Sequence, residues 1–203
     1  MKLILFTGNE KINPIWNENI YESTNSDFDK IVVYKSFDCV KMDCPYDLFL
    51  KELERIKQFA KTIENEKYAV FAKTTSIPLV IKAINLNILK PERCVFVGIP
   101  IVWARINNID IDSDFMGFNT KTIYVQRIEN CDFYYDNLSE YLKSKRVENY
   151  NVVEFDLLNA DDKILKELKD IAIRFLKNDE KPQKLFLELD KHYFKNKNKR
   201  CSN

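Results

Sequence analysis

An α/β protein with a mostly parallel central sheet and helices on both faces is the architecture this sequence predicts. Three observations carry it. Short, continuous apolar runs recur along the chain (Leu3-Ile-Leu-Phe6, Ile31-Val-Val-Tyr34, Ala69-Val-Phe-Ala72, Cys94-Val-Phe-Val97). They lack the alternation of a half-exposed strand, which points to burial on both faces. Between several of them lie longer stretches with apolar residues at helical spacing, the βα alternation of a parallel sheet. At 203 residues, with 45% hydrophobic and 31% charged residues, the chain can fill one sizeable core.

The elements follow in order. Leu3–Phe6 is the first strand and Ile31–Tyr34 the second. Pro45 suits the first turn of a long helix, in which Phe49, Leu53, Ile56, Ala60 and Ile63 form one apolar face. Ala69–Ala72 is a strand leading into a helix over about Ile77 to Asn87. Cys94–Val97 is a strand ended by Gly98 and Pro100. Ile123-Tyr-Val125 follows, then a helix from about Tyr135 to Ser144 and a last strand, Val152-Val-Glu-Phe155. Ile164, Leu165, Leu168, Ile171, Ala172 and Phe175 stripe the final core helix. Pro182 marks a break, so the expected organisation is a domain over residues 1–180 and a C-terminal helix with a basic tail over 181–203.

Composition excludes several classes. Lys plus Arg total 32 and Asp plus Glu 31, which argues against nucleic acid as a partner. With only Gly8, Gly98 and Gly117 as glycines, there is neither a phosphate loop nor a dinucleotide fingerprint, and no cofactor is expected. No apolar run reaches the ~18 residues of a membrane span. Five widely spaced cysteines and an N-terminal apolar run too short for a signal core lead to the expectation of a reducing, cytoplasmic location. Cys39 and Cys44 lack a second ligand pair for zinc. Asp110-Ile-Asp-Ser-Asp-Phe-Met-Gly117 has alternate carboxylates, but an EF-hand would need Gly where Phe115 stands and Glu where Lys121 stands. It is read as an acidic surface loop, and no metal site is expected.

Tyr68-Ala-Val-Phe-Ala-Lys-Thr-Thr-Ser-Ile-Pro78 reads as a strand, a tight turn and a helix start. In this setting the order of elements resembles the α/β-hydrolase fold over roughly Met1 to Lys177, especially its small, nearly capless members. Thr7-Gly8 resembles the pair after the first strand that supplies part of the oxyanion hole, with Trp16 where an aromatic often follows. Ala72-Lys-Thr-Thr-Ser76 resembles the nucleophile elbow and puts Thr74 at the nucleophile. Val95-Phe-Val-Gly-Ile-Pro100 resembles the next strand and its turn. Thr122 to Asp132 resembles the strand and loop of the triad acid, with Asn130 at the acid position and Glu129 and Asp132 as neighbours. The family's histidine would fall near Asn159-Ala-Asp161, where none stands, and the chain's only histidine is His192.

These departures have physical consequences. A β-branched residue is an outlier at positive φ, so Thr74 is expected to resist the elbow conformation, crowded further by Ala72 and Ser76. A threonine hydroxyl also needs a base to become nucleophilic. Ser76 is read as the N-cap of the helix that Pro78 helps open; the alternative makes it a nucleophile with Lys73 as base. Lys73, Glu129, Asp132 and Asp161 are a conceivable substitute acid/base set.

The reading is therefore a catalytically degenerate α/β-hydrolase-like protein acting by binding, either a protein partner or a small acyl-type ligand. Its cleft is expected at the carboxyl ends of the strands, lined by Thr7, Gly8, Asn9, Lys73, Thr74, Thr75, Ile99, Trp103, Asn130 and Asn159. The alternatives are an esterase or thioesterase using Lys73, Thr74 or Ser76 and Asp132, and a structural subunit of a larger assembly. Leu185, Phe186, Leu189, Tyr193 and Phe194 form an apolar stripe that packs on the domain or on a second copy, with residues 182–194 as a homo-oligomer contact. The basic end (Lys191, Lys195, Lys197, Lys199, Arg200) is read as a solvated extension.

Overall fold

Apolar runs without alternation become central strands because both of their faces find cover. A computed structural model describes residues 1–7, 28–29, 31–35, 46–127, 138–155 and 162–177. Strands β1 (Lys2–Thr7), β2 (Ile31–Lys35), β3 (Tyr68–Lys73), β4 (Cys94–Val97), β5 (Thr122–Arg127) and β6 (Tyr150–Phe155) form a six-stranded sheet in the order β2-β1-β3-β4-β5-β6. Every neighbouring pair is parallel. The expected α/β class holds, and the described sheet is wholly parallel.

Helices α1 (Tyr46–Lys61), α2 (Ser76–Asn85), α3 (Ile101–Ile106), α4 (Ile111–Asp114) and α5 (Leu138–Ser144) lie between the strands, and α6 (Asp162–Lys177) follows β6. The strand pleat sends alternate side chains to opposite faces. Ile4, Phe6, Val70, Ala72, Phe96 and Tyr124 join a core with residues of α1 to α5. Leu3, Leu5, Ala69, Phe71, Val95, Val97, Ile123 and Val125 join a second core with Phe28 and with Ile171, Ala172, Phe175 and Leu176 of α6.

This division follows from handedness. Parallel crossovers are right-handed, so connections that advance along the sheet in one direction share a face. From β2 to β6 the chain advances steadily, and α1 to α5 share one face. From β1 to β2 it moves the other way. The reversal falls between β1 and β3, a topological switch point of the kind where open parallel sheets bind ligands.

Polar anchors fix the outer elements. Tyr34 of edge strand β2 donates to Glu52 of α1 at 2.8 Å, and Arg55 donates to the same carboxylate at 2.6 Å. Arg93 donates to the Phe175 carbonyl at 3.0 Å and lies over the Phe175 ring, which ties α6 to the start of β4.

The two short helices between β4 and β5 were not expected. Six and four residues are too few to show a period. Their apolar residues Ile101, Trp103 and Ile111 are buried, so this connection belongs to the core layer. The acidic surface loop expected at Asp110–Gly117 is instead α4 and its flanks: Asp110 caps it, accepting from the Ser113 amide at 3.1 Å. The break at Pro182 and the tail over 181–203 lie outside the described residues.

Two outcomes are expected. Trp103→Ala should cost about 3–5 kcal/mol in urea unfolding, because a buried indole leaves a large cavity. Cys94 is fully buried and burial pushes its thiol pKa up; a short maleimide pulse on native protein, read by mass spectrometry, should leave it unmodified until denaturant is added.

Candidate functional site

β3 ends at the switch point, and the turn into α2 forms there. Thr74 adopts φ +46, a left-handed conformation. The expectation that a β-branched residue would resist it is overturned. Two backbone hydrogen bonds clamp the turn: the Thr74 amide donates to Val97 O at 3.0 Å, and the Ile77 amide donates to Thr74 O at 2.9 Å. Lys73, Thr75 and Ser76 around it are buried, whereas Thr74 itself is partly exposed. Such a conformation costs on the order of 1–3 kcal/mol and persists only where its surroundings over-determine it. Burial of Ile77, Leu79, Val80, Ile81 and Ala83, each fully enclosed, anchors α2 against that cost.

The expected N-cap is corrected. Ser76 is the first residue of α2, and Thr75 occupies the cap position without a side-chain capping bond. Thr75 makes no such bond for a reason that lies within the first turn. Pro78 has no N–H, and Ile77 already donates to Thr74 O, so a capping hydroxyl has no ordinary N2 or N3 amide to receive.

Lys73 is 8% exposed, and burial lowers its pKa from 10.5 to about 8. Its row in the sheet is Lys73–Val97–Val125. Val97 and Val125 belong to the α6-side core, so Lys73 leaves the sheet on that side, whereas α2 packs on the other. The pairing of Lys73 with Ser76 as base and nucleophile therefore starts from opposite faces of the sheet.

One level further along, Thr74, Gly98 and Gln126 stand side by side at the carboxyl ends of β3, β4 and β5, because Thr74 N–Val97 O and Gly98 N–Val125 O continue the ladder by one residue. Gly98 has φ +71 and brings no side chain to this level. Gln126 is 1% exposed, and its Oε1 accepts from the Ile99 amide at 3.1 Å. That bond fixes the orientation of the amide. Its Nε2 is buried and makes no hydrogen bond. Gln126 was not among the expected site residues; its signal in the sequence is a carboxamide closing the apolar run Ile123-Tyr-Val125.

Of the other expected site residues, Trp103 and Ile99 sit in the α1–α5 core, at 2% and 0% exposure, rather than on an open cleft wall. Thr7 ends β1 opposite Lys35. Gly8, Asn9, Asn130, Asp132 and Asn159, with Glu129, Asp161 and His192, lie outside the described residues. Two carboxylates of the acidic stretch are paired with cations of the protein itself. Asp112 accepts from Arg105 Nε and Nη2 at 2.9 and 3.0 Å and pairs with Lys145 at 2.8 Å, and the Arg105 guanidinium holds it well below the usual carboxylate range. Asp114 accepts from Lys82 at 2.9 Å. Among the described residues no group of His, Cys, Asp and Glu side chains has a metal-binding arrangement.

No protein-family model and no curated protein sequence matches this chain.

Two measurements probe the turn. At an ordinary exposed helical position Gly is about 1 kcal/mol less stable than Ala; at position 74 the order should invert, with Thr74→Gly more stable than Thr74→Ala by about 1 kcal/mol in urea unfolding. For Lys73 the folded pKa, about 8, lies below the unfolded 10.5. Between those values the unfolded chain holds the extra proton, so this group's cost to stability is full below about pH 8 and vanishes above about 10.5. Lys73→Met should exceed the parent protein by on the order of 2 kcal/mol at pH 7, and the difference should shrink steadily as pH is raised through that window.

Proposed function

We propose that this chain is an α/β-hydrolase-like protein that keeps the elbow and acts by binding a small acyl-type ligand rather than by hydrolysing it. The observation that carries this reading is Thr74 at φ +46, partly exposed at the carboxyl edge of the sheet beside the switch point. Backbone strain of this kind is maintained at ligand clamps and active sites. The parallel sheet and the strand–turn–helix at residues 68–85 support the same reading.

What argues against catalysis is the chemistry around the alcohol. The chain has a single histidine, His192, far from the Asn159–Asp161 position where the resemblance would place it. Without a base a threonine hydroxyl is a poor nucleophile. Loss of a triad member leaves about 10³–10⁴-fold over water in enzymes that retain the rest, and here the acid position holds Asn130.

A second reading rests on Lys73. A buried lysine with a pKa of about 8 lies in the range of catalytic bases, and it precedes Thr74 directly. In that reading the protein is an esterase or thioesterase with Thr74 as nucleophile and Lys73 as base.

A fluorophosphonate probe and short-chain p-nitrophenyl esters decide between them. Binding without catalysis predicts no covalent labelling and no turnover above buffer. Labelling that disappears in Thr74→Ala, together with turnover lost in Lys73→Met, would establish the hydrolase instead.

A further inference from the structure

We draw no further inference here: the strongest candidate, the exposed apolar surface that Tyr46, Leu48 and Leu50 form at the start of α1, carries none, because nothing in the structure shows what covers it.

Discussion

A β-branched residue held in the left-handed region is the constraint around which the centre of this molecule is arranged. Thr74 cannot relax to an ordinary turn without moving β3 or α2, and neither is free to move. β3 lies between β1 and β4, its six residues all buried, and α2 has seven of its ten residues buried. Each large aliphatic side chain enclosed there contributes about 1.5–3 kcal/mol, so the pair together outweighs strain of on the order of 1–3 kcal/mol at one residue. The same geometry brings Gly98 and Gln126 to its level.

Position follows from topology. The sheet order makes β1 and β3 neighbours while their outgoing connections run in opposite directions, and this is the switch point at which parallel sheets bind ligands. β3 contributes the turn, β4 the small residue beside it and β5 the amide. Lys73 ends the preceding row on the α6 side, so a buried lysine lies on one face of this edge and the start of α2 on the other.

Much of this architecture could be read from the residues. Continuous apolar runs such as Val70-Phe-Ala72 and Val95-Phe-Val97 specify strands covered on both sides, because alternate residues must each find a core. The long periodic helices Tyr46–Lys61 and Asp162–Lys177 were legible for the same kind of reason. Helices α3 and α4 were not, being shorter than two periods. The Thr74 turn was expected from its place between strand and helix, but its conformation was judged on intrinsic preference alone. Tertiary burial overrode a local penalty that looks decisive in a peptide. Ser76 lies inside α2 rather than at its cap because the helix starts one residue earlier than capping propensity suggests, with Thr75 at the cap position. Gln126 escaped notice because an unpartnered buried donor is a property of the fold, invisible until the level it shares with Gly98 and Thr74 is assembled.

Backbone scalar couplings and carbon shifts at Thr74, recorded on the folded protein in solution, reach the heart of the matter. A positive φ near +46 is expected, held through the temperature range in which the sheet is intact. A negative φ at this residue, with the sheet still formed, would mean that β3 passes into α2 by an ordinary turn, and the strained junction would not exist.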